Sequence, residues 1–137
     1  MSSSDERRWQ QRLDNFGTAL AQLTSACERE RYDDLERAGL IKTFEFCFDL
    51  SWNVLKDLLF YEGYDEKVPR AAIRKSYEVD YLDETDCETL LDASDKRNLL
   101  SHTCRSEVAR DAETLIKERY LPVLLRLHRT LDAKRRS

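Results

Sequence analysis

Three glycines and two prolines are the only backbone breakers in this chain of 137 residues. A chain so poor in residues that adopt positive φ or interrupt a helix is left with long, regular elements. The apolar side chains decide which kind. Trp9, Leu13, Phe16, Leu20, Leu23 and Cys27 recur at spacings of three and four, which is one face of an α-helix. No segment alternates with period two for long enough to make a strand. The same scarcity of glycine excludes a Walker phosphate loop and a G-x-G-x-x-G dinucleotide turn.

The first helix is expected to start at Asp5 as its cap and to fray over Glu28–Asp34. A second runs from Leu35 to Glu62, with Phe44, Phe48, Trp52, Leu55 and Leu59 as its main stripe. Phe46, Leu50, Val54 and Leu58 add a second apolar face, so this helix is central. Lys42, Glu45, Asp49, Asn53 and Lys56 form its polar line, and Gly63 suits the position just past its end. Pro69 fits the first turn of a short third helix ending near Val79. The Asp83–Asp86 region opens a fourth, with Cys87, Leu90, Leu91, Ser94 and Asn98 along one side and an end near Cys104. Ser106 can cap a fifth, whose apolar residues stay in phase from Val108 to Leu131 and which Pro122 should kink. The expected fold is all-α, an up-and-down four-helix bundle with an extra short helix. Residues 5–133 form its single domain, between a disordered tail at 1–4 and a solvated basic tail at 134–137.

The formal net charge is −4 and the sequence pI about 5.3, so the protein as a whole repels nucleic acid. No apolar run reaches the length of a membrane span and the N-terminus lacks a signal-peptide core, which makes the cytoplasm the expected compartment and a membrane partner unexpected. Cys27, Cys47, Cys87 and Cys104 are widely spaced and read as reduced, mostly buried thiols rather than a zinc site or disulfide framework. Neither a metal nor a cofactor is expected. Glu45 and Asp49 share a helix face and could hold Mg²⁺, but such pairs are common on solvated helices.

Chemistry concentrates in one stretch, Asp95-Lys96-Arg97-Asn98-Leu99-Leu100-Ser101-His102-Thr103-Cys104. Histidine moves protons near neutral pH, and arginine is the best bidentate phosphate ligand. Together Arg97 and His102 could cleave RNA without a metal, the imidazole as acid or base and the guanidinium stabilising the phosphorane. On an ideal helix the two point roughly 140° apart, so a shared site needs a helix end between them, a long reach, or two chains. The plainer account is a histidine at a helix C-terminus beside a surface arginine. His128, between Leu127 and Arg129, reads as a surface residue.

The order and spacing of several segments resemble the nucleotidyltransferase substrate-binding protein family, a branch of the HEPN superfamily. They are Arg8–Phe16, Leu35–Ile41, Phe44–Trp52, Leu55–Asp57, Pro69–Arg74 and Arg97–Thr103. The resemblance implies a helical bundle that forms a homodimer and pairs with a separate minimal nucleotidyltransferase. That partner carries the Gly-Ser and paired-Asp motif for nucleotide and Mg²⁺, which this chain lacks. The implied function is a non-catalytic substrate- or nucleotide-binding subunit of the transferase, with Arg97, Asn98, Ser101, His102, Glu45 and Asp49 as binding residues. The alternative is a metal-independent ribonuclease toxin inhibited by that transferase, since Arg-x₄₋₆-His is the superfamily's nuclease signature and Arg97 and His102 fit it. There the antitoxin modifies a tyrosine two residues after the histidine, and this chain has Cys104 at that position. Cys87 also replaces a frequent Trp, and Asn53 a frequent Lys. Arg97 could further pair with Glu45 and Asp49 across the bundle, while Arg70, Arg74 and Arg105 could widen a positive patch.

Overall fold

The computed structural model describes residues 3–103 and 105–137. Helix α1 spans Ser3–Ala26, α2 Asp34–Tyr61, α3 Pro69–Glu78, α4 Glu84–Leu100, α5 Ser106–Leu115 and α6 Leu121–Arg136. A π-helical turn, Ile116–Tyr120, joins α5 to α6. No strand occurs among the described residues.

Cross-helix pairs give the directions. Glu6 meets Tyr61 and Arg12 meets Asp57, so α1 and α2 are antiparallel. Asp14 meets Arg135 and Gly17 meets His128, so α6 runs against α1. Asp86 pairs with Arg126 and Asp92 with Tyr120, so α4 also opposes the last rod. Arg37 pairs with Glu113 and Phe44 stacks on Tyr120, so α2 runs parallel to α5 and the π turn. The long elements therefore alternate up, down, up, down around one core, the architecture read from the sequence. The short α3 packs between α2 and α4.

Local chemistry sets the helix ends. Asp33 and Glu36 form a reciprocal capping box that starts α2. At its other end Gly63, at φ 101°, closes a Schellman motif in which Tyr64 N–H bonds Leu59 C=O and Gly63 N–H bonds Phe60 C=O. Asp80, at φ 69°, closes α3 in the same way, with Tyr81 N–H on Ser76 C=O, although it is not glycine.

The core centres on Phe16, Phe44, Phe48 and Tyr120, all fully buried. The Tyr120 hydroxyl donates to Asp92 at 2.5 Å, which satisfies the one polar atom of that buried ring. The second face expected on α2 divides: Val54 and Leu58 are buried, Leu50 is half-buried, and Phe46 is 56% exposed.

Several end positions differ from expectation. Helix α1 begins at Ser3, before Asp5. The basic C-terminal residues are not a solvated tail but the last turn of α6, where Arg135 donates to Asp14 and Asp132 and Lys134 lies over the Tyr81 ring. Helix α4 stops at Leu100 with Ser101 as its cap residue, and α5 starts at Ser106 itself behind Arg105, with no side-chain cap. The irregularity expected at Pro122 lies one turn earlier. Leu121 N–H reaches back to Ile116 C=O, five residues away. The widened turn leaves Pro122 in the first turn of α6, where its missing N–H does no harm. His128 is half-buried between α1 and α6 rather than at the surface, its ring 5.7 Å from Phe16. Only Gly17, lacking a Cβ, lets it approach: a Cβ there would lie 2.8 Å from His128 Nε2. Burial lowers the His128 pKa.

Candidate ligand-binding site

A cleft of about 760 Å³ opens where the first half of α2 faces the α4–α5 connection. Asp34, Arg37, Ala38, Ile41, Lys42 and Glu45 line it from α2. Their spacing of three and four places them on one flank of that helix. Leu100, Ser101, His102 and Thr103 form the opposite wall, and Ser106 and Ala109 of α5 close the end. The volume is in the range of small-molecule sites.

The early stop of α4 creates that wall. Ser101 N–H bonds Arg97 C=O and His102 N–H bonds Leu99 C=O, so the chain leaves the helix just before the histidine. His102 therefore lies beyond the helix end, exposed and in the lining of the cleft. Ser101 Oγ donates to Asn98 C=O, and Thr103 Oγ1 accepts from Arg105 N–H.

Arg97 stays on the helix and faces α2. Its Nε donates to Asp49 Oδ1 at 2.9 Å and one terminal nitrogen to Oδ2 at 3.0 Å. The other terminal nitrogen lies 3.6 Å from Glu45 Oε1. The Asp49 hydrogen bonds hold the guanidinium more basic than usual. Glu45, only 6% exposed, also lies 3.6 Å from Lys42 Nζ. The pairing of Arg97 with both carboxylates, suggested by the sequence, is thus present, and it occupies these carboxylates with a cation of the protein itself.

Of the six residues singled out, Glu45, Ser101 and His102 line the cleft. Arg97 and Asp49 form the ion pair outside its lining, and Asn98 is exposed. Arg37, Ile41 and Ala109 were not singled out. The helical register linking Arg37, Ile41 and Glu45 could have pointed to the first two; Ala109 depends on the tertiary packing. Arg37 donates once from each of its nitrogens, to Glu113, Asp34 and the Tyr32 carbonyl. Arg70 does not add to a patch at this site, because it ties α3 to Asp95 of α4 at 2.7 Å. Arg105 lies 3.9 Å from Glu107 and Arg74 is exposed on α3. Burial pushes the Cys27 thiol up to about 11 and Cys47 to about 12. The Cys104 substitution lies outside the described residues. Among those described, no helix is long and apolar enough to cross a membrane, and no three metal-binding side chains converge.

No curated protein matches the sequence. A crystal structure of ttk003001694 from Thermus thermophilus is similar, with 28% identity and a TM-score of 0.74 over 89% of this chain and 99% of that one. The family model described as "Nucleotidyltransferase substrate binding protein like" matches residues 11–133, nearly the whole helical bundle and the whole of the cleft. The chain therefore belongs to the nucleotidyltransferase substrate-binding protein family.

Proposed function

We propose that this protein is a non-catalytic subunit that joins a separately encoded minimal nucleotidyltransferase and supplies part of its substrate- or nucleotide-binding surface. Family membership supports the association with nucleotidyl transfer. The state of Arg97 carries the non-catalytic part of the reading. A guanidinium that stabilises a phosphorane must bring uncompensated positive charge to the reacting phosphate. Here Asp49 accepts from the Nε and one terminal nitrogen and Glu45 lies 3.6 Å from the other, so two carboxylates of the protein already offset that charge. His102 lines the cleft without Arg97 beside it in that lining, so the two halves of the nuclease signature do different work within one chain. The exposed Phe46 of α2 and Leu99 of α4 support the homodimer that the family resemblance implies.

The test is recovery of the tagged protein from the cells that produce it, followed by identification of stoichiometric companions by mass. The expected companion is a small nucleotidyltransferase. A homodimer that has no such companion and cleaves structured RNA in EDTA, with cleavage lost in His102→Ala, would replace this reading with the ribonuclease.

A further inference from the structure

The charges around the cleft indicate which part of a nucleotide it can take. Asp34 and Arg37 form a pair at 3.1 Å, and Lys42 faces Glu45. These four formal charges cancel, and each nitrogen of Arg37 already donates to an acceptor of the protein, two of these acceptors being carboxylates. Just behind the lining, Glu113, Asp49 and Arg97 add one further net negative charge. A polyphosphate would meet only cations already paired with carboxylates, Arg37 and Lys42, with no net positive charge to offset its desolvation. What the cleft does offer is an apolar wall from Ile41 and Leu100, with hydroxyls and an imidazole at Ser106, Thr103 and His102. Those groups suit a flat, uncharged ring bearing hydroxyls.

We infer that the cleft binds the nucleoside part of a nucleotide, base and ribose, and leaves the polyphosphate to the transferase. This inference rests on the reading of the chain as a nucleotide-binding subunit. The heterocycle lies against Ile41 and Leu100, and the ribose hydroxyls exchange hydrogen bonds with the Thr103 and Ser106 hydroxyls and the His102 ring. Binding is then governed by apolar contact and neutral hydrogen bonds, so it responds little to salt.

The experiment is a titration of the full chain, followed by NMR signals of Ile41 and His102. The probes are adenosine, guanosine, cytidine, uridine, their 5′-triphosphates and inorganic tripolyphosphate. At least one nucleoside should shift both residues, and its triphosphate should bind within about threefold of it. Tripolyphosphate should leave both signals in place. Ala38→Trp, which fills the cleft from an exposed and therefore tolerant position, should weaken nucleoside binding about tenfold or more. His102→Ala should weaken it about threefold or more. Three results would overturn the inference. They are no nucleoside shift at millimolar concentration, a triphosphate bound about tenfold or more tighter with steep salt dependence, or undiminished binding by Ala38→Trp. All are read on the isolated chain, so they stand apart from the companion experiment. A subunit that recruits the transferase yet ignores nucleosides would refute only this inference.

Discussion

If the protein's own carboxylates hold Arg97, its replacement must cost stability. Arg97 is 25% exposed, Asp49 41% and the Glu45 side chain 8%. Asp49→Ala removes two charge-assisted hydrogen bonds, but solvent reaches the pair and screens it, so the loss should be about 1 kcal/mol. Arg97→Met acts on a more buried partner. It leaves the Glu45 carboxylate with Lys42, which is itself 81% exposed. Leaving a charge uncompensated in the interior typically costs about 3–5 kcal/mol. The lysine offsets part of that, which points to about 2–3 kcal/mol here. The double variant should not lose the sum, because Asp49 has no partner once Arg97 is gone. A coupling of about 1 kcal/mol is expected from the cycle. Urea denaturation of the four proteins measures it, with the midpoint carrying the effect and the slope unchanged. A coupling within about 0.3 kcal/mol of zero, together with an unaltered Arg97→Met midpoint, would mean that Asp49 and Glu45 do not hold Arg97. The guanidinium would then be free in solution and available to a phosphate.

Four further outcomes follow from particular contacts. Asp80 holds φ 69° at the end of α3, so Asp80→Gly should stabilise the protein by about 1 kcal/mol in thermal or urea unfolding. Gly17→Ala should destabilise despite better helix propensity, because the new Cβ meets His128 Nε2 at 2.8 Å. In a His128→Ala background the same change should stabilise by about 1 kcal/mol, and a destabilisation there would sink the packing argument. Burial lowers the folded His128 pKa below its usual 6.5, against a partial opposite pull from Asp132 and Asp14. The unfolded chain therefore takes up the proton first, and the neutral ring's contribution is complete above pH 6.5. It declines as pH falls through 6.5 and levels off below the folded value. Urea midpoints of wild type and His128→Ala should thus converge between pH 7.5 and 5.5. Cys47, buried with its thiol pushed up to about 12, should resist a thiol reagent at pH 8 until the protein unfolds.

Where the sequence and the structure agree, the cause is local. Gly63 and Pro69 bound their helices because one accepts positive φ and the other lacks an N–H, whatever surrounds them. Where they part, the cause lies on another element. Phe46 matches the apolar pattern of α2 but sits on the flank that no helix covers, and it stays exposed. His128 looks like a surface residue from its neighbours in sequence. The gap at Gly17, over a hundred positions earlier, makes room for it. The end of α4 was expected near Cys104 and comes at Leu100, which frees Ser101, His102 and Thr103 to form a wall of the cleft.

The residues alone show that this chain is helical, where most helices lie and which faces mostly meet the core. Those properties are written in spacings of three and four and in a few special residues, each acting over a turn or two of backbone. It took the tertiary packing to close the Arg97 pairing suggested from the sequence onto Asp49 and Glu45 of α2, and to set His102 in the lining of the cleft. Ion pairing and cavity shape depend on which side chains arrive from distant parts of the chain. The periodicity of one helix carries no record of what its neighbour presents.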